Sequence, residues 1–65
     1  MQGEFIGKTS MGFVSGKVYN IYSKIQRVKR FGIPMLSICI YDKDSTAWCS
    51  YTNLESMMKN WNIIN

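Results

Sequence analysis

The sequence predicts a mainly β domain: a small closed or half-closed barrel of about five strands, with one short helix before the last strand. Three observations predict it. Met35–Tyr41 alternates strictly, with Leu36, Ile38 and Ile40 on one face and Met35, Ser37, Cys39 and Tyr41 on the other. The polar run Asp42-Lys43-Asp44-Ser45 then carries Asx-turn chemistry and leads into a returning strand, Thr46–Tyr51. Finally, Thr52-Asn53-Leu54-Glu55 has the form of a capping box, and apolar residues follow it at helical spacing.

The elements follow in chain order. Glu4–Ile6 is a short strand that Gly7 ends. Lys8–Gly16 is rich in Gly and Ser and reads as an irregular loop pinned to the core by Met11, Phe13 and Val14. Lys17–Ile25 is dominated by β-branched and aromatic residues and reads as a strand. Its inward face carries Tyr19, Ile21 and Ile25; its other face carries Val18, Asn20, Tyr22 and Lys24. Gln26–Pro34 reads as a connection, because Gly32 and Pro34 argue against a regular element through its end. The alternative is a longer hairpin whose arms continue the flanking strands.

For the next hairpin, a register that sets Asp42 against Ser45 places Ile40 opposite Ala47, Ile38 opposite Cys49 and Leu36 opposite Tyr51. That gives one apolar face and leaves Cys39, Tyr41, Thr46, Trp48 and Ser50 on the other. It also puts the two cysteines on opposite faces. Thr52 is then the helix cap, and Leu54, Met57, Met58 and Trp61 form a core stripe. Trp61–Ile64 closes the sheet.

At 65 residues the chain makes one domain, residues 1–65, with a thin core. No apolar run is long enough to span a membrane, and the first residues lack the apolar region of a signal peptide. A cytoplasmic setting without membrane contact is the expectation. Histidine is absent, which removes the commonest general base and metal ligand. Two cysteines alone do not complete a zinc site, and they are too few for a disulfide framework. The ending Gly7-Lys8-Thr9 is that of a phosphate loop, but Gly3 stands one residue too close for the earlier glycine. No catalytic residue, metal or cofactor is expected, and the chain reads as a binding protein, not an enzyme.

The strings Phe5-Ile6-Gly7-Lys8-Thr9, Gly16-Lys17-Val18-Tyr19-Asn20-Ile21, Ser37–Asp42, Leu54-Glu55 and Asn62-Ile63-Ile64 span nearly the whole chain. Together they resemble small SH3-like β-barrel proteins carried by bacteriophages and mobile elements of Gram-positive bacteria. The resemblance implies an SH3-like barrel acting in the cytoplasm of a bacterial host cell. It also implies a non-enzymatic protein that binds and blocks a host component, an antiviral defence complex being one concrete version. It supplies no site residues, and this chain departs from the pattern at Gln26–Pro34 and in the length of its helix.

Three surfaces are candidates. The outward hairpin face offers Tyr41, Trp48 and Cys39 with Tyr22, residue types enriched at protein interfaces. The alternative for this face is a second core wall beneath the Lys8–Gly16 loop or the helix. The segment Lys24–Arg30 supplies Lys24, Arg27, Lys29 and Arg30 beside Phe31, in a chain of net charge +4. It suits an acidic protein surface or, as the alternative function, nucleic acid. Open strand edges suit a homodimer. The leading reading makes a host bacterial protein the partner, with Trp48 and Tyr41 as anchors and Arg27, Lys29 and Arg30 as steering charges.

Overall fold

The computed structural model describes residues Met1–Asn65. Its elements are β1 (Gln2–Phe5), β2 (Val18–Arg30), β3 (Ile33–Asp42), β4 (Trp48–Tyr51), α1 (Leu54–Asn60) and β5 (Trp61–Ile63). The five strands form one antiparallel sheet in the order β4-β3-β2-β1-β5. β4 and β5 are the two edges, so Trp61–Ile63 extends the sheet beside β1 and does not close it.

β2 changes partner along its length. Val18, Tyr19 and Asn20 pair with β1, whereas Ile21–Arg30 pair with β3. This hand-over lets the two halves of the sheet wrap one core of Phe5, Phe13, Tyr19, Ile21, Ile40, Tyr51, Met57 and Trp61. Aromatic rings dominate it and meet edge to face, a favoured geometry for ring quadrupoles. Phe13 lies 4.9 Å from Trp61 and 5.0 Å from Tyr19 between ring centres, and Phe5 lies 5.1 Å from Trp61.

Of the three apolar residues expected to pin the loop before β2, only Phe13 enters the core, since Met11 and Val14 are exposed. Ser10 and Phe13 bond to each other across a tight turn with positive φ at Met11 and Gly12. A Cβ at Gly12 would come within 2.9 Å of the Ala47 Cβ, so this turn packs closely on the β3–β4 loop.

The β3–β4 register differs from the sequence expectation by two residues. Ile40 pairs with Cys49 and Ile38 with Tyr51, not with Ala47 and Cys49. The cause is a wider turn. The Asp42 amide donates to the Ala47 carbonyl, while the Asp42 carboxylate accepts from the Asp44 amide and the Ser45 hydroxyl, which needs the extra residues. A shift of two preserves parity, so every side chain keeps the face expected for it.

Four further expectations need correction. Gln26–Pro34 is not a separate connection but the alternative reading, a longer hairpin: the arms of β2 and β3 run through it to a two-residue turn at Phe31-Gly32. Pro34 is tolerated because Arg30 and Ile33 flank the turn as a hydrogen-bonded pair, which makes Lys29–Pro34 a non-bonded pair with its outer edge unneeded. Ile25 and Leu36 face as expected but are 74% and 62% exposed, because the hairpin runs out past the core. The helix cap is Asn53, whose Oδ1 accepts from the Ser56 amide at 2.8 Å, one residue beyond Thr52. Of the helical stripe, Met57 and Trp61 are buried while Leu54 and Met58 are exposed.

Tyr51 ties β4 to the last strand. Its hydroxyl oxygen accepts from Trp61 Nε1 at 3.0 Å and from Asn60 Nδ2 at 3.3 Å, and it lies 3.2 Å from the Cys49 sulfur. Burial pushes the Tyr51 pKa up to about 12, and the Cys49 contact adds to the rise. The unfolded chain's tyrosine titrates near ~10. The folded state therefore holds this proton more tightly, and its contribution is intact below the unfolded value and lost as pH rises towards the folded one. Chemical denaturation at stepped alkaline pH should show stability falling between those two values. Tyr51→Phe should flatten that part of the profile.

Candidate functional site

Two features of the β2–β3–β4 sheet stand out: a row of aromatic rings and a projecting cationic arm. The row follows from register. Tyr22 pairs with Tyr41, and Tyr41 with Trp48, so three rings stand directly opposite one another on the face away from the core. They stack, with centroids 5.1 Å and 5.8 Å apart and planes tilted by 11° and 19°. Trp48 is 39% exposed, so the row forms part of the surface and is not a second core wall. Lys24 Nζ lies 5.8 Å and 5.9 Å from the Tyr22 and Tyr41 ring centres, within cation–π range. Gln26 Nε2 donates to the Tyr41 hydroxyl. Because the rings stack on one another, the faces between them are already used.

The arm is the outer part of the β2–β3 hairpin. At its tip Phe31 and Gly32 have φ of +53° and +78°, the signs of a type I′ turn. Gly suits the second position. The first position favours Asn or Asp, and a left-handed backbone at Phe costs about 1–2 kcal/mol. The Phe31 side chain recovers none of this by packing, since it is fully exposed.

The arm bends. Arg30 pairs with Ile33, while Ser50 pairs with Cys39, six residues further along β3. On a straight strand that is about 20 Å, beyond the reach of one side chain. Yet Arg30 Nη2 donates to Ser50 Oγ at 2.9 Å. The hairpin must curl over its aromatic face. Ser37 and Cys39 lie on this concave side and are 1% and 0% exposed, whereas Ile25 and Leu36 lie on the convex side. Cys39, expected among the outward residues, is therefore inaccessible. The Arg30 guanidinium is strapped to the sheet, with Nε buried and unpartnered, and differs in this from Arg27 and Lys29, which remain exposed.

No acid occurs between Glu4 and Asp42, so the whole arm is cationic. It also exposes Ile25, Phe31, Ile33 and Leu36. The arrangement brings Tyr22, Tyr41, Trp48, Lys24 and Arg30 onto one face; it sets Arg27 and Lys29 on the other face and Phe31 at the tip. Sequence reasoning missed Ile33 and Leu36 as surface residues. A two-residue turn read at Phe31-Gly32 would have exposed both.

No three His, Cys, Asp or Glu side chains are grouped to hold a metal ion. The two thiols are free, and burial pushes the Cys49 thiol up. No helix is long and apolar enough to cross a membrane. No family model, curated protein or solved structure matches the chain.

Proposed function

We propose that this chain is a non-enzymatic binding protein whose β2–β3 arm and aromatic row dock on an acidic protein surface. The observation that carries the reading is Phe31: a large apolar side chain held fully in solvent, on an unfavourable backbone, at the tip of an arm without acids. Strain kept where packing gains nothing marks a position used for something other than stability. Phe31 and Trp48 are the apolar anchors, with Tyr41 and Tyr22 beside Trp48. Arg27 and Lys29 steer the encounter, and Arg30 fixes the bend of the arm.

Two observations favour protein over nucleic acid as the partner. The rings of the row spend their faces on each other, leaving few for base stacking. The exposed aliphatics Ile25, Ile33 and Leu36 gain nothing from phosphate but much from an apolar protein surface.

The resemblance in the sequence extends the proposal. The sheet is a half-open form of the SH3-like barrel, a reading supported by its strand order and by the helix placed before the last strand. In that family setting the chain is phage-encoded and acts in the host bacterial cytoplasm. The partner is then a host protein that it inhibits or redirects.

Capture from Gram-positive lysate with the tagged chain, with and without nuclease, tests the class of partner. A stoichiometric protein that survives nuclease and is lost with Trp48→Ala is the expected result. Trp48→Ala should stay folded, losing about 1 kcal/mol of ring contact. A catch that vanishes with nuclease, and an affinity that falls with salt in proportion to phosphates contacted, would replace the protein by nucleic acid.

A further inference from the structure

A second surface lies at the far edge of the sheet, away from the arm. There β5 meets α1, and Ile6, Leu54, Met58 and Ile63 rim an open groove of about 490 Å³ whose lining includes Met57 and Trp61. The rim residues are exposed, although Met57 and Trp61 belong to the core. The edge itself is unpaired. The Asn60 carbonyl accepts from the Ile6 amide just past β1, the Ile64 amide donates to the Gln2 carbonyl, and Asn62 pairs with Glu4. Strand alternation then turns the Ile63 N–H and C=O outward, beside the groove.

Charge decides what covers this surface. The arm cannot face a copy of itself, because it carries only positive charge. The groove differs. Glu55 and Lys59 run exposed along α1 next to Leu54 and Met58, one of each sign and four residues apart. About a two-fold axis, Glu55 of one copy meets Lys59 of the other, and the reverse contact forms at the same time. A stable dimer buries about 800 Å² per partner, which is under a fifth of this chain's 4488 Å² surface. The apolar rim supplies the centre of such an interface and the charged pair its margin.

We infer that two copies of the chain associate through this edge. β5 pairs antiparallel with β5, the two sheets become one, and Leu54, Met58, Ile6 and Ile63 bury against their symmetry mates. The two arms then project from opposite ends, each free to dock. This inference is independent of what the arm binds.

Sedimentation velocity across micromolar to submillimolar concentration tests it. The expected result is a species of twice 7.5 kDa that dissociates on dilution. Met58→Glu, at a side chain exposed in the single chain, should weaken association about tenfold or more while leaving the circular dichroism spectrum unchanged. Leu54→Glu serves as a second break. Glu55→Lys and Lys59→Glu should each weaken the dimer, and the two together should restore it, which nonspecific stickiness would not do. Phe31→Asn should leave the dimer intact. A monomer at every concentration would overturn the inference, as would a dimer indifferent to Met58→Glu or one broken by Phe31→Asn.

Discussion

Phe31→Asn should stabilise the fold by about 1 kcal/mol and abolish partner capture. Phe31 sits at the first central position of a type I′ turn, where Asn adopts the left-handed backbone far more readily. The side chain makes no packing contribution to lose, because it is fully exposed. In a domain this small the gain corresponds to about 4–8 °C in Tm. Most substitutions that remove a binding residue leave stability unchanged or lower it. A gain in stability together with a loss of function would mark the tip as strained for use. If Phe31→Asn lowers Tm instead, the ring packs somewhere in solution and the anchor assignment fails.

Trp61→Ala should unfold the domain. Trp61 is buried at the centre of the aromatic core, against Phe5, Phe13 and Tyr19, and its indole N–H donates to the Tyr51 hydroxyl. Truncating a buried Trp costs about 3–5 kcal/mol, and a core of this size supplies little more than that. Trp61→Phe keeps a ring in the cluster but leaves Tyr51 without that donor; it should fold, with a loss of about 1–3 kcal/mol. Trp48→Ala, on the outer face, sets the contrast. Circular dichroism and urea titration of the three variants should rank them with Trp61→Ala unfolded, Trp61→Phe weakened and Trp48→Ala nearest the parent. A folded Trp61→Ala would mean that the core is organised around other residues.

The faces of the two tryptophans were legible in the sequence, but whether the face of Trp48 meets solvent or forms a second core wall was not. Period-two alternation assigns Trp48 the face opposite Ile40 and Ile38, and helical spacing assigns Trp61 to the stripe with Met57. The face assignments survived a two-residue register shift because parity alone controls which side a strand residue takes. How far a face extends was not legible. Alternation gives Ile25 and Leu36 the same pattern as Ile21 and Ile40, and only the absence of anything packed beyond the core exposes them.

The arm was legible only as the second of two readings. Gly32 and Pro34 are ordinary strand breakers, and Phe31 is a poor choice for the turn it occupies. Local preference therefore favoured a connection and left the longer hairpin as the alternative, and the β2–β3 pairing selects the hairpin. The Arg30–Ser50 contact depends on the curl of that hairpin, so no sequence pattern announces it. The cap shifted from Thr52 to Asn53 because both residue types cap well; Asn53 accepts from the Ser56 amide, and the reciprocal Glu half of the capping box is given up.

The most direct measurement is photocrosslinking from the arm tip. A photoreactive phenylalanine analogue replaces Phe31 and, as a control, Lys43 on the opposite loop; each protein is irradiated in Gram-positive lysate treated with nuclease. A single protein adduct from position 31, absent from position 43, is the expected result. Equal adducts from both positions, crosslinks to nucleic acid alone when nuclease is omitted, or no adduct from a folded protein would contradict the account.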